Sequence, residues 1–304
     1  MNFPGRFGDH ILPDKIHQIN LSFIVNKFER RRGGTGGNVS YSMALLDTPH
    51  VLFSVAGKDF GEYEKAFQEL KINLKNILID KNNYTSTGFS MNDKINNQVW
   101  GYFYGASEKI KDLKLKDLYS HPKGVASDND LLLIGPCGVE GSMSLVRQAV
   151  KIGASYMFDP GFILTAVSNS DLELGVANCK YLIGNDYEMN LIKTKVKNWK
   201  KIFWEKIVIT TLGGKGAIIE DKNKIYKIMA AKPKKVLDPT GAGDAWRAGF
   251  LAGLDRGFNL QICGQMGSVA SAYAVENYGS QEHIYTKKEF ENRYRQNFKS
   301  LIKL

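Results

Sequence analysis

The segment DPTGAGDAWRAGF, residues 238–250, decides the fold. A Gly-Ala-Gly turn is followed at once by an acidic residue, Asp244, and by an apolar helical pattern. A tight turn that leads into a helix leaves the first N–H groups of that helix without intrahelical partners. With the positive end of the helix dipole, these groups form a site for phosphate. An anion site beside a carboxylate suits phosphoryl transfer to an alcohol.

A simpler interpretation is an ordinary helix N-terminus, with glycine for the turn and aspartate for the dipole. The match is longer than that interpretation requires. D-x-x-G-A-G-D followed by a small-residue helix resembles the C-terminal signature of the ribokinase-like (PfkB) carbohydrate and nucleoside kinases. The resemblance implies that Asp244 is the catalytic base. It also implies an anion loop formed by the backbone N–H groups of Gly241, Ala242 and Gly243.

Short apolar runs bounded by glycine alternate with helical patterns from residue 51 onward. This alternation predicts an α/β fold with a mostly parallel sheet covered on both faces. The resemblance implies a ribokinase-like three-layer fold in one domain, residues 1–304. The predicted buried strands lie within residues 51–57, 131–135, 155–161, 180–185 and 206–213.

Two segments, residues 14–32 and 84–104, have an alternating and partly polar sequence. With a side-chain period of two, one face of the second segment carries Gln98, Trp100, Tyr102 and Tyr104. This face either packs in a small sheet or, as the resemblance implies, belongs to a β-strand lid over the substrate. A lid excludes the water that otherwise hydrolyses ATP, and Gln98 is then a substrate-binding residue.

The motif GGTGGN, residues 33–38, precedes a helical pattern. Glycines let the backbone approach a ligand, and Asn38 can both donate hydrogen bonds to hydroxyls and accept them. The motif resembles the N-terminal element with which these kinases grip the sugar, which implies substrate binding by Gly33, Gly34 and Asn38. The alternative is a glycine hinge with Asn38 as the helix N-cap.

The motif IGNDYEM places Asn185 and Glu188 directly after a predicted buried strand. Its spacing resembles the N-x-x-E element of the family, which organises Mg²⁺ and phosphate through water. Mg²⁺ keeps most of its water ligands, so a carboxylate at this distance suits it. The alternative is a capping box, with Asn185 as the N-cap and Glu188 as its reciprocal partner. The two roles are compatible.

The motif TLGGKGA follows the last predicted strand. Thr211, Gly213 and Gly216 match the nucleotide-binding turn of the family, which implies that they hold ATP together with Asn185. Any turn between two strands has a similar pattern, and the motif is neither a Walker A loop nor a dinucleotide fingerprint. We interpret Lys215 as a turn residue.

Composition restricts the remaining functions. The formal charge is +10, but the lysines are scattered, so a basic enzyme with a polyanionic nucleotide is favoured over nucleic-acid binding. Three cysteines far apart fit neither a zinc site nor a disulfide scaffold. No apolar run approaches 18 residues, so we expect a cytoplasmic protein that binds no membrane. The oligomeric state is left open, a homodimer included.

Family members begin with a buried strand that leads into a substrate-binding aspartate. Here Met1 is followed by NFPGRFGDHILP, which is loop-like, so the first strand is predicted to be missing. Either translation starts further upstream, or the protein lacks this strand. Because a missing central strand exposes sheet edges, we favour the first explanation. The role of the absent aspartate is not transferred to Asp9.

The resemblance implies an ATP- and Mg²⁺-dependent kinase that phosphorylates a primary hydroxyl of a nucleoside or sugar. The segments FPGRF, NNQ and YGSQEH are similar to the adenosine-kinase-like branch, which favours adenosine. Asp238 and Thr240 would hold a monovalent cation such as K⁺, as in some members. His283 is expected at the surface. The alternative is a non-catalytic relative that acts as a binding or regulatory module.

Overall fold

The computed structural model describes most of the chain. The description covers residues 1–11, 21–95, 97–119 and 130–304, without the side chains of Gln98 and Tyr119.

A six-stranded sheet forms the centre of the fold. Its strands are β5 (Leu132–Ile134), β6 (Tyr156–Phe158), β7 (Tyr181–Asn185), β8 (Ile207–Thr211), β9 (Ala217–Glu220) and β10 (Ile225–Ile228). The spatial order is β10-β9-β8-β7-β6-β5. Strands β5 to β8 run parallel, and β9 and β10 continue the sheet antiparallel. These four parallel strands lie within four of the five predicted segments, and the fifth segment, residues 51–57, contains the strand Ser54–Gly57 of a separate parallel pair. The β9–β10 hairpin was not anticipated.

Helices account for much of the remaining chain. The α-helices are α1 (Thr35–Leu45), α2 (Gly61–Glu69), α3 (Lys116–Tyr119), α4 (Val139–Ile152), α5 (Asn169–Asn178), α6 (Asp186–Lys195), α7 (Trp199–Trp204), α8 (Ala242–Asp255), α9 (Leu260–Ala274) and α10 (Lys287–Phe298). Short 3₁₀ helices are Phe7–Asp9, Gly105–Asp112, Gly161–Thr165 and Gly213–Lys215. Over the described part of the chain, none of these helices is long and apolar enough to cross a membrane.

The helices cover the two faces of the central sheet. On one face, apolar residues of α4, α5 and α6 form a core with inward-facing strand residues such as Phe158 and Leu182. On the other face, Trp246 and Phe250 of α8 pack with α9 against strand residues such as Ile183. A parallel sheet needs this cover because both of its faces are apolar. The predicted three-layer α/β architecture is therefore present.

Two further sheets have two strands each. Strands β1 (Ser54–Gly57) and β2 (Ile77–Asp80) are parallel, and β3 (Thr87–Asn92) and β4 (Gln98–Phe103) are antiparallel. Within the described residues, β1 pairs with β2 alone and β5 with β6 alone. These pairings do not test the expected absence of a first strand, which stays a prediction.

The second predicted lid segment contains the β3–β4 hairpin, whereas the first differs from expectation. Residues 14–20 lie outside the description, and residues 21–32 contain one isolated bridge, between Lys27 and Asn2. The basic run that ends this segment forms ion pairs with dispersed acids: Arg30 with Asp59, Arg31 with Glu29, and Arg32 with Glu282. The ion pairs of Arg30 and Arg32 thus connect this stretch to other parts of the chain, and no strand ladder forms within the described residues 21–32.

Glycines bring α8 and α9 into backbone contact. A Cβ added at Gly249 would lie 2.6 Å from the Met266 carbonyl oxygen and 2.8 Å from the Gly267 Cα. A Cβ at Gly253 would lie 2.9 Å from the Cys263 Cα. Since real side chains do not approach so closely, α8 depends on these glycines for its position.

We expect Gly249→Ala to destabilise the protein by about 2 kcal/mol. The overpacked contact outweighs the gain of about 1 kcal/mol in helix propensity. The control is Gly61→Ala in α2, where an added Cβ meets nothing within 4 Å, so its stability should be equal to wild type or higher. Urea denaturation measures both variants. Equal stability of the two would contradict the backbone contact between α8 and α9.

Candidate active site

Polar residues meet at the carboxyl ends of the parallel strands. Asp159 follows β6, while Asn185 and Thr211 end β7 and β8 and are direct partners in the strand register. Ligands of open α/β sheets bind outside this edge. The structure therefore places two predicted nucleotide-site residues, Asn185 and Thr211, side by side where a ligand is expected.

The anion loop forms a tight turn before α8. Gly241 is the N-cap residue with φ +78°, and a Cβ there would lie 2.4 Å from the Ser280 Cβ. The Ala242 N–H donates to the Pro239 carbonyl at 3.1 Å, which closes the turn. Of the three predicted donors, Gly241 and Gly243 therefore remain the better candidates for an anion.

Asp238 holds this loop in place. Its Oδ1 accepts the Thr240 N–H at 2.9 Å, and its Oδ2 accepts the Gly279 N–H at 2.9 Å. The carboxylate thus joins the anion loop to the loop after α9. This structural role accounts for Asp238, and monovalent cation binding by Asp238 and Thr240 stays a prediction.

Asp244 lies in the first turn of α8 and accepts a hydrogen bond from Asn38. The distance from Asn38 Nδ2 to Asp244 Oδ2 is 2.7 Å, across the packed pair α1 and α8. Helix α1 begins at Thr35 with Gly34 as its N-cap, so the alternative of Asn38 as N-cap is wrong. The structure instead joins the asparagine of the first glycine motif to the aspartate of the last.

A buried ion pair lies beside Asp244. Arg247, one turn further along α8, contacts Asp159 with 2.6 Å between its Nε and the carboxylate Oδ2. Both residues are buried. Burial by itself would lower the pKa of Arg247, but the Asp159, Asp244 and Glu188 carboxylates outweigh it and raise that pKa above its usual value. The guanidinium stays charged although it is buried, and its positive charge offsets the negative charge of the surrounding carboxylates.

These neighbours set the proton affinity of Asp244. Burial raises the pKa of its carboxyl to about 6, Asp159 acts in the same direction, and Arg247 and Asn38 oppose them. Burial disfavours the ionised form, whereas a nearby cation and a donated hydrogen bond favour it. The result is a carboxylate that is ionised at neutral pH and still basic enough to accept a proton.

Asn185 and Glu188 form the capping box that the sequence offered as an alternative. The Glu188 N–H donates to Asn185 Oδ1 at 2.8 Å, and the Asn185 N–H donates to Glu188 Oε2 at 2.7 Å. Burial raises the pKa of Glu188, and Asp159 adds to this effect. Burial thus disfavours the ionised form of this carboxylate, and a nearby cation would favour it. The metal role therefore stays a prediction beside the capping role.

The fold itself requires glycine at position 216, in the predicted nucleotide turn. It has φ +93°, and a Cβ there would lie 2.0 Å from the Ile228 carbonyl oxygen in β10. Gly213 also has positive φ, but the space around it is open. The hairpin geometry thus explains Gly216, and Gly213 with Thr211 stays available to a nucleotide.

The glycines of the first motif serve different purposes. Gly34 has φ +87° at the start of α1. A Cβ at Gly37 would lie 2.2 Å from the Tyr63 hydroxyl oxygen, which donates to the Gly33 carbonyl at 2.7 Å. Gly37 therefore makes room for a side chain of the protein, which the sequence did not indicate.

Stacked aromatic rings extend from the β3–β4 hairpin. Trp100 stacks on Tyr102 at 5.7 Å between ring centroids, and Tyr102 stacks on Phe162 at 5.4 Å. Burial and the charge of Asp244 raise the pKa of Tyr102, and both residues line the same cavity. Gln98 belongs to β4, but its side chain lies outside the description.

Some of these groups line a cavity of about 2490 Å³. It is larger than a usual ligand pocket of roughly 300–1,000 Å³, and it extends into the space between β1 and β5. The site predictions that line it are Gly33, Gly34, Asn38, Gly241 and Asp244. Within the described structure, its lining does not include Ala242, Gly243, Asn185, Glu188, Thr211, Gly213 or Gly216.

Sequence reasoning missed several residues of the site. Arg247 was detectable as a charge in an otherwise apolar helical pattern, and Asp159 as an acid directly after a buried strand. Tyr63 and Gln281 carry no such signal. The prediction of a surface position for His283 is wrong, because its ring is fully buried against Ser42, at 3.1 Å between Nε2 and Oγ.

The chain matches a family model described as "pfkB family carbohydrate kinase" over residues 8–287, and it belongs to this family. It is 30% identical over 278 residues to the nucleoside kinase of Methanothermobacter thermautotrophicus. The aligned region covers 89% of this chain and 87% of that relative. The family and these relatives define the class of protein, an ATP-dependent carbohydrate or nucleoside kinase.

Solved structures show the same fold. A Burkholderia thailandensis nucleoside kinase in complex with inosine has a TM-score of 0.89 and 26% identity, over 99% of this chain and 96% of that one. The same kinase in complex with ADP-inosine has a TM-score of 0.86 and 30% identity, over 100% and 93% of the two chains. The predicted ribokinase-like fold is confirmed.

We expect Asp244→Asn to raise the stability of the protein at pH 7. The carboxyl pKa is 3.8 in the unfolded chain and about 6 in the folded one, so stability falls as the pH rises from 3.8 through 6. Asparagine does not ionise and avoids this loss. Because Asp244 is only partly buried and lines the cavity, the gain should be about 2 kcal/mol or less.

Melting temperatures of the variant and the wild type between pH 4 and pH 8 measure this effect. The difference should be near zero at pH 4 and largest above pH 6. Burial lowers the pKa of His283 to about 4, so stability falls as the pH falls from 6.5 toward 4. That effect is common to both proteins and cancels in the difference. A difference independent of pH would contradict the raised pKa of Asp244.

Proposed function

We propose that this kinase transfers the γ-phosphoryl group of ATP to a primary hydroxyl of a nucleoside, with Asp244 as the general base. The observation that carries the proposal is the position of the Asp244 carboxylate. It lines the large cavity, lies in the first turn of α8 beside the anion loop, and is hydrogen-bonded to Asn38. A nucleoside hydroxyl and a phosphate bound there would be adjacent to the same carboxylate.

The proton affinity of Asp244 suits this role. A general base works best when its pKa lies near the working pH, and a value of about 6 meets that condition. As the substrate oxygen attacks the γ-phosphorus in line, the carboxylate takes the hydroxyl proton. The neighbouring Arg247 offsets the negative charges of the site before and after the transfer.

The start of α8 would receive the transferred group. Backbone N–H groups of Gly241 and Gly243 and the helix dipole favour negative charge at this point. Two close neighbours require glycine in this loop. A Cβ at Gly241 would overlap Ser280, and a Cβ at Gly243 would lie 2.8 Å from Arg247 Nη1. The loop can therefore approach a phosphate closely.

The residues present fit Mg²⁺ held through water. Within the described chain, no cluster of three or more acidic, histidine or cysteine side chains forms a metal cage. Mg²⁺ commonly binds ATP-dependent sites through one or two carboxylates, the phosphates and water. Glu188 and Asn185 would orient that water, and the ion would neutralise phosphate charge.

A nucleoside fits better than a free sugar because of the aromatic rings at the cavity. Trp100, Tyr102 and Phe162 offer flat apolar surfaces, on which a base stacks with about 1–3 kcal/mol. A structurally similar kinase binds inosine, a purine nucleoside. We therefore propose purine nucleosides as the substrate class, with adenosine and inosine as its first members to test.

We expect MgATP turnover with purine nucleosides and none in Asp244→Asn. ADP release is measured across adenosine, inosine, cytidine, ribose and fructose, with nucleotide binding followed separately. The variant should bind ATP as wild type does, because it loses the base alone. The control is Asp171→Asn, which removes a carboxylate of a surface ion pair with Arg147 and should keep full turnover.

Unchanged turnover in Asp244→Asn would remove this residue as the base. If the wild type is folded and binds ATP but releases no ADP with any of the five compounds, a non-catalytic binding or regulatory module would instead be favoured.

We expect Glu188→Gln to raise the Mg²⁺ concentration for half-maximal turnover severalfold, with the nucleoside KM unchanged. Glutamine still accepts the Asn185 N–H and so keeps the capping box, but it lacks the charge that favours a cation. Turnover is titrated with Mg²⁺ at constant ATP. An unchanged Mg²⁺ requirement would leave Glu188 with its capping role alone.

A further inference from the structure

A chain of hydrogen bonds leads from the glycine-rich loop to Asp244. The Tyr63 hydroxyl donates to the Gly33 carbonyl at 2.7 Å. Gln281 Nε2 donates to the Tyr63 oxygen and, at 2.9 Å, to Asn38 Oδ1. Asn38 Nδ2 donates to Asp244 Oδ2 at 2.7 Å. Three side chains thus join a backbone carbonyl to the catalytic carboxylate.

The donor–acceptor direction of this series of hydrogen bonds is determined at the Gly33 carbonyl. A carbonyl only accepts hydrogen bonds, so Tyr63 must donate to Gly33. The Tyr63 oxygen is then left to accept, which requires the NH₂ end of the Gln281 amide at that position. The same NH₂ group faces Asn38 Oδ1. Asn38 must therefore present its own NH₂ group to Asp244.

Burial prevents water from taking over these contacts. Gln281 is 2% exposed and Asn38 is 6% exposed. Reversal of Gln281 would place its carbonyl oxygen against the Tyr63 oxygen and Asn38 Oδ1. Reversal of Asn38 would place its oxygen against the Asp244 carboxylate, so both reversals are unfavourable. Ser280 Oγ also donates to Asn38 Oδ1, at 2.8 Å. A hydroxyl can donate or accept, so Ser280 supports this orientation without dictating it.

We propose that Tyr63 and Gln281 are positioning residues that orient the Asn38 amide, so that it donates to Asp244 and keeps that carboxylate ready to accept a proton. The Asn38 hydrogen bond engages Oδ2, and Oδ1 takes the proton of the substrate hydroxyl. This inference rests on the proposed role of Asp244 as the base. Neither positioning residue contacts Asp244 by a hydrogen bond of its own.

Other charged and titratable groups also face Asp244. Arg247 comes from the same helix, Asp159 from the loop after β6, and Tyr102 from β4. Glu188 of α6 acts on Arg247, and Arg32 acts on Tyr63. Replacement of Gln281 removes none of these groups. A change in the titration of Asp244 in a Gln281 variant would therefore report the lost orientation of Asn38.

Gln281→Met tests the proposal. The acid limb of the kcat–pH profile, measured with MgATP and the best nucleoside of the panel, should move up by about one pH unit. Turnover below the limb should fall about tenfold, and turnover above pH 8 should stay near wild type. The KM for MgATP should be unchanged.

A second readout needs no substrate. The infrared band of a protonated carboxyl that Asp244→Asn removes should titrate at higher pH in Gln281→Met than in wild type.

Tyr63→Phe is an independent probe, because its ring can keep the edge contact with Phe67. It should shift the acid limb and the infrared titration in the same direction. In the Gln281→Met background the Tyr63→Phe shift should vanish, since both residues act through one amide. If Gln281→Met does not fold, the Tyr63→Phe result decides the proposal.

The matched control is Gln265→Met, which removes another glutamine bonded to a tyrosine, Tyr294, away from the cavity. It should leave the pH profile unmoved. An unshifted Asp244 titration in both Gln281→Met and Tyr63→Phe, with Asp244→Asn inactive, would overturn the positioning role alone. Activity retained in Asp244→Asn would instead overturn the proposed function.

Discussion

The direct contact between the backbones of α8 and α9 is the constraint on which the site depends. Gly249 and Gly253 let α8 lie closer to α9 than any other residue would allow. The body of α8 determines where its first turn points, and that turn carries the anion loop and Asp244. A small displacement of α8 would separate the carboxylate from Asn38 on α1. The core packing and the proposed chemistry are therefore linked through one helix.

Electrostatic balance is the second constraint. Burial and Asp159 raise the pKa of Asp244, and Arg247 and Asn38 lower it. Each influence alone would give a poor base, either protonated at neutral pH or too weakly basic. Together they leave a carboxylate with a pKa near the working pH. Holding this charge in a partly buried place lowers the stability of the protein. Such a loss of stability is common at natural active sites.

Local patterns predicted local structure well. Four parallel strands and the helices around them followed from apolar runs and glycine boundaries, and the Asn185–Glu188 capping box was a recognised alternative. Predictions that required knowledge of neighbours were less successful. Asn38 is not an N-cap, and His283 is not at the surface. A polar side chain in a sequence has no visible partner, so its burial cannot be inferred from its own segment.

The amino-acid sequence by itself determined the α/β layers, the glycine turn before α8 and the family, because each is indicated by residues close together in the chain. Only the tertiary structure decided that Asn38 contacts Asp244, that Arg247 pairs with Asp159, and that Gln281 orients the Asn38 amide. These partners are between 88 and 243 residues apart. Such contacts depend on how α1, α8 and the sheet pack together, which local periodicity does not encode.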